Sequence, residues 1–183
     1  MRIIRGKYKT RNYGIPKKFP SRPTTDFAKE GLFNVLEHQL VLHDLEILDL
    51  CAGTGSISIE FLSRESGRVL AVDQNYNCVR HIQEMAKRFD CTEDLLVYKQ
   101  EMLRFLEKTT QQFDLIFADP PYAYSHHARI AELVFERELL HEGGLLIIEH
   151  GKETDLSDIT HFAFSRIYGN VHFSFFQINQ EDE

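Results

Sequence analysis

A regular alternation limits what this chain can fold into: apolar bursts at 46–50, 68–72, 95–98, 113–118 and 144–148 alternate with amphipathic stretches near 56–64, 76–89, 102–108 and 126–140. Short, nearly continuous apolar runs separated by helical periodicity predict parallel strands joined by crossover helices, with the sheet buried on both faces. The tail breaks the rhythm. Stretches 162–168 and 171–178 flank Gly169-Asn170, which leaves no room for a crossover helix and predicts an antiparallel hairpin. Upstream, Thr24 and Thr25 are N-cap candidates, and Phe27, Gly31/Leu32, Val35/Leu36 and Leu40 recur at helical spacing, predicting a helix over 25–42. Residues 1–23, punctuated by Gly6, Gly14, Pro16, Pro20 and Pro23, read as short strands (2–5 and 7–9) and turns. With 183 residues, 43% of them hydrophobic, the chain suits one α/β domain (24–183) behind a short basic β extension (1–23).

Charge is distributed unevenly. Arg2, Arg5, Lys7, Lys9, Arg11, Lys17, Lys18 and Arg22 precede the first acid, Asp26, although the whole chain carries a net charge of −7. A solvated tail would explain the charge alone. The interleaved Tyr8, Tyr13 and Phe19 instead suggest a surface that neutralises phosphates and offers stacking faces, so this arm is expected to bind nucleic acid. Three cysteines without CxxC spacing disfavour a disulfide framework, and neither they nor the nine histidines form a zinc pattern, so no metal is expected. No apolar run reaches membrane-spanning length, and a soluble monomer in a reducing cytoplasm is expected.

A doubly wound sheet that ends in an antiparallel hairpin resembles the class I S-adenosylmethionine (SAM)-dependent methyltransferase fold, in which ligands gather at the carboxyl ends of the strands. Asp49-Leu50-Cys51-Ala52-Gly53-Thr54-Gly55 closes the first strand and opens the next helix, and its glycines let backbone approach a ligand. A dinucleotide loop would read GxGxxG, whereas here Ser56-Ile57-Ser58 follows and the third glycine is missing. Asp49 suits the cationic methionine portion of SAM and would repel a pyrophosphate. Asp73, next to Gln74 and about 20 residues past the glycines, is placed to accept from ribose hydroxyls. Glu101, beside Met102, matches the acid that takes the adenine amine in methyltransferases, or else it is a helix N-terminal acid. Cys51 reads as a packed small residue, with no partner base to activate it.

Asp119-Pro120-Pro121-Tyr122 follows the fourth apolar burst. An exocyclic base amine is a poor nucleophile because its lone pair is delocalised, so a catalyst gains by accepting hydrogen bonds from it as it rehybridises. The Asp119 carboxylate and the Pro120 carbonyl can accept them, two prolines stiffen the turn, and Tyr122 can stack an extruded base for ~1–3 kcal/mol. His126-His127 read as a solvated helix start, and Glu149-His150 as a capping or rim pair.

On these residues the chain resembles the RsmD family, bacterial methyltransferases of a guanine N2 amine in 16S ribosomal RNA. Arg2-Ile3-Ile4 with Gly6, then Arg22-Pro23-Thr24-Thr25-Asp26 followed by Glu30, Leu32-Phe33-Asn34 and Leu36, are similar to the family's N-terminal stretches, and the glycine loop, Asp73, Glu101 and the DPPY box follow in family order. The resemblance implies SAM as cofactor, RNA of an assembling small subunit as substrate, and Arg22 and Thr24 near the site mouth. Arg5 replaces a usual glycine, Lys29 stands where arginine is frequent, and Glu101 where aspartate or asparagine is common. Rival readings are a DNA adenine-N6 methyltransferase, which usually adds a recognition domain, a protein glutamine methyltransferase, whose box begins with asparagine, an NAD-dependent oxidoreductase, and a non-catalytic RNA-binding assembly factor.

Overall fold

The structure, a computed structural model, describes residues 1–21 and 23–178. Arg22 and the acidic end 181–183 lie outside the described residues. The elements run α1 (Asp26–Gln39), β1 (Ile47–Leu50), α2 (Ser56–Ser63), β2 (Val69–Asp73), α3 (Tyr76–Phe89), β3 (Leu95–Lys99), α4 (Met102–Lys108), β4 (Phe113–Ala118), α5 (His127–Glu136), β5 (Leu140–His150), β6 (Phe162–Tyr168) and β7 (Val171–Phe176). The strands form one seven-stranded sheet in the order β3-β2-β1-β4-β5-β7-β6. From β3 through β5 the neighbours are parallel, and β7 inserts antiparallel between β5 and β6. This is the class I methyltransferase arrangement that the sequence predicts.

Because side chains alternate along a strand, the central strands supply both cores. Ile47, Val69, Leu115, Phe117 and Ile147 pack with residues of α1, α2 and α3, whereas Leu48, Leu70, Ile116, Leu146 and Ile148 pack with residues of α4 and α5. On the first face Phe33 of α1 meets Phe61 of α2 edge-on at 4.7 Å. The Thr25 hydroxyl accepts from the Ala28 N–H and sets the start of α1, and Leu40 is already extended. Near the other end of the chain, Glu138 at φ 53° ends the α5 segment early, so β5 begins at Leu140 and is longer than predicted.

The extension departs from its prediction. Instead of strands at 2–5 and 7–9, it makes turns and a single antiparallel bridge, Arg2 with Asn12. The reason lies in α2, whose side chains take the backbone donors that a strand would have offered to a neighbour. Glu60 accepts from the N–H groups of Ile4 (2.9 Å) and Arg5 (3.1 Å), and Ser63 Oγ accepts from the Tyr8 N–H (3.0 Å). Ile3, Tyr8 and Tyr13 are buried in the first core. Glu60 is fully buried and also binds Arg64, while the buried Lys29 ammonium lies 3.6 Å from it and donates to Ser56. One carboxylate therefore ties the chain start to α1 and α2.

Candidate active site

The carboxyl edge of the sheet gathers the predicted site. Continuing the strand register one residue beyond the ends of β1 and β4 brings Cys51 and Asp119 level with Asp73, the last residue of β2, and with Glu149 of β5. They line a cleft of about 690 Å³ together with Gln74, Asn75, Cys78, Pro120, Pro121, Tyr122 and the segment Pro20, Ser21, Pro23, Thr24 and Thr25. A smaller adjoining recess is bordered by Asp49, Ala52, Gly53 and Thr54.

The glycine loop is held by β2. Asp73 accepts from the Gly53 N–H (2.9 Å) and the Asn75 N–H (2.8 Å), and the Ala52 N–H donates to the Val72 carbonyl. Gly53 has φ 54°, which strains any larger residue, and a Cβ there would stand 2.4 Å from Ser21 Oγ and force that side chain to move. Cys51 also has positive φ, 58°, and its sulfur lies 3.7 Å from that of Met102. Burial among carboxylates pushes its thiol well up, which agrees with a packing role and not with a nucleophile.

Four acids face this edge without a cation among the described residues. Burial pushes Asp49 up to about 7, against the hydrogen bond donated by Ser58 and with repulsion from Asp73. Asp119 is raised well above the carboxylate range by burial and then by Glu149, Asp49 and Asp73. Burial lifts Glu149 to about 7 even though Thr24 (3.1 Å) and Tyr122 (3.4 Å) donate hydroxyls to it. An edge this rich in uncompensated negative charge fits a cationic ligand such as a sulfonium that also carries an ammonium.

That electrostatic cost gives a test. Folded Asp49 keeps its proton up to about pH 7, while the unfolded chain releases it near 4, so its ionisation destabilises the fold progressively between those values and fully above them. Asp49→Asn is expected to gain stability relative to wild type as pH rises from about 5 to about 8, by roughly 2–3 kcal/mol. Thermal melts at both pH values check this. A constant difference would contradict it.

Several expectations are corrected. Glu149 is not a rim residue: it is 3% exposed and bridges Thr24 to Tyr122 across the cleft. His126 is exposed, but His127 is buried against Tyr124 and His150 and is not solvated. His150 bonds Ser174 Oγ (2.8 Å) within the second face. Glu101 caps α4, accepting from the Leu103 and Arg104 N–H groups, and neither it nor Met102 borders the cleft. Tyr124, whose buried hydroxyl has no partner among the described residues, packs with Cys51 against the cluster holding Met102. In the extension, Tyr8 and Tyr13 offer no stacking faces, because they pack on Phe89 and His81. Arg5, Lys7 and Arg11 meet the C-terminal ends of α2 and α3, at the far end of the sheet from the cleft. Arg5 pairs with Glu37, and Arg2 lies 4.0 Å from Asp26. Lys9, Lys17 and Lys18 are exposed, the latter two just before the cleft-lining Pro20.

Among the described residues no helix is long and apolar enough to cross a membrane, and no group of three or more His, Cys, Asp or Glu could hold a metal ion. Residues 1–177 match the family described as conserved hypothetical protein 95. The chain is 31% identical over 159 residues to ribosomal RNA small subunit methyltransferase D of Haemophilus influenzae, covering 85% of this chain and 81% of that protein. With the protein of the same name from Escherichia coli it shares 26% over 161 residues, or 87% and 79% of the two chains. A solved hypothetical protein of Thermus thermophilus superposes with a TM-score of 0.83 at 24% identity over 97% and 99% of the chains, a likeness of fold.

Proposed function

Since the chain belongs to the RsmD family, the one described as conserved hypothetical protein 95, we propose that it methylates the exocyclic N2 amine of a guanine in 16S ribosomal RNA. The observation that carries this reading is the Asp119 carboxylate just past the end of β4, which borders both the cleft holding a half-exposed Tyr122 ring and the adjoining recess of the glycine loop.

Asp49 and the loop Cys51, Ala52, Gly53, Thr54 and Gly55 would hold the methionine portion of SAM, and Asp73 and Gln74 its adenosine portion. When bound, the cofactor supplies an electrophilic methyl group. Asp119 and the Pro120 carbonyl accept hydrogen bonds from the amine and raise its nucleophilicity as it approaches tetrahedral geometry. The displaced proton leaves to water or to Asp119, whose raised affinity for protons suits the second route. Tyr122, backed by Gly151, supports the extruded base. Its hydroxyl, tied to Glu149, fixes the ring plane.

RNA phosphates are proposed to meet Lys17, Lys18 and Thr24 at the cleft mouth, with Arg22 of the same segment as a further contact, while Arg2, Arg5, Lys7, Lys9 and Arg11 would meet phosphates of a large RNA away from the cleft. The substrate is a partly assembled small subunit, the working form a monomer, and the compartment the cytoplasm. Primer extension on 16S RNA from a deletion strain tests the reading: loss of one guanine-N2 methylation is expected. A fully methylated RNA from that strain would overturn it.

A further inference from the structure

We propose that Glu149 is the guanine-selecting residue of this site: its carboxylate accepts the N1–H of the target base while Asp119 accepts from the N2 amine. The inference rests on the guanine-N2 reading and names how that base is told from others.

Register gives the geometry. β4 and β5 are parallel neighbours with Ala118 opposite Ile148, so the next residues, Asp119 and Glu149, stand side by side at the cleft. Adjacent strands lie ~4.8 Å apart, close enough for two carboxylates to converge on neighbouring donors. The Watson–Crick edge of guanine offers such a pair, N1–H beside N2–H. Adenine offers one donor beside a bare ring nitrogen, which a carboxylate repels. A matched pair of acceptors therefore rewards guanine and rejects a base that lacks the second donor.

Glu149 is built for this task. It is buried and has no cation partner among the described residues, and its two oxygens are pinned by different hydroxyls, Thr24 on one and Tyr122 on the other. Each carboxylate oxygen retains a further lone pair, so both anchors leave an acceptor for the base. A buried carboxylate without a cation is costly to maintain: burial lifts both acids toward the neutral form, and Glu149 adds its repulsion to Asp119. Two base donors would relieve that repulsion. If Glu149 served only to hold Tyr122, its loss would be mimicked by removing the Tyr122 hydroxyl.

The test uses small subunits reconstituted with guanine or 2-aminopurine at the methylated position. 2-Aminopurine keeps the N2 amine but lacks the N1–H. Wild-type enzyme is expected to prefer guanine by about tenfold or more in kcat/KM. Glu149→Gln, whose amide can donate to a bare N1, is expected to shrink that preference about tenfold, and Tyr122→Phe to leave it within about threefold. SAM calorimetry on each variant reports an intact fold; should Glu149→Gln not fold, the wild-type ratio decides alone. Equal wild-type rates on the two bases, an unchanged preference in a SAM-binding Glu149→Gln, or the same shift in Tyr122→Phe would each overturn the proposal. Absence of any wild-type transfer to guanine subunits would overturn the parent reading with it.

Discussion

Asp119→Ala is expected to lower kcat for methyl transfer by about 10²–10³-fold, since it removes an acceptor whose interaction strengthens as the amine becomes tetrahedral. KM for the RNA should change far less, because base stacking and phosphate contacts are made equally in ground and transition states. Stability should move the other way. Asp119 sits desolvated beside Glu149, Asp49 and Asp73, and that environment disfavours its charge, so removing it at pH 8 relieves repulsion and raises the melting temperature. Single-turnover kinetics with thermal melts check both halves. A large loss of activity accompanied by loss of stability would place Asp119 among structural residues instead.

Glu60→Ala has the largest expected effect on folding. It strands buried Lys29, removes the anchor of Arg64 and leaves the Ile4 and Arg5 N–H groups without their acceptor. Breaking a buried ion pair from one side costs about 3–5 kcal/mol, which at this chain length corresponds to a fall of roughly 10 °C in melting temperature. Glu60→Gln keeps an acceptor and should lose less. Equal, small losses in both variants would show that the extension is held by Ile3, Tyr8 and Tyr13 alone.

Much of the fold is legible because each strand's period matches its environment. The burst at Phe113–Ala118 and the hairpin strand Phe162–Tyr168 fall where the pattern places them, since apolar continuity followed by a turn has few other solutions. Residues 2–9 mislead because Ile3, Ile4 and Tyr8 satisfy a strand pattern while the backbone donors of Ile4, Arg5 and Tyr8 go to side chains 55 or more positions away. No local period carries that information. His127 looks polar and solvated in sequence, yet α5 turns it toward His150. Glu101 has two readings, and the structure realises the helix cap, a contact within three residues.

The site divides along the same line. Asp49, Gly53, Gly55, Asp73 and Asp119 are visible in the sequence because each ends a strand or opens a helix. Glu149 reads as a rim residue because its sequence neighbours say nothing of Thr24, 125 positions away. One signal is present: an acid at the carboxyl end of the fifth parallel strand, in step with Asp119 at the end of the fourth.

Transfer of tritiated methyl from SAM to small subunits, naked 16S RNA and DNA, assayed side by side, tests the central claim most directly. Label appearing on the RNA of small subunits, at the N2 position of a single guanine, is the expected result. Label on DNA alone, or none on any RNA from an enzyme that binds SAM, would contradict it.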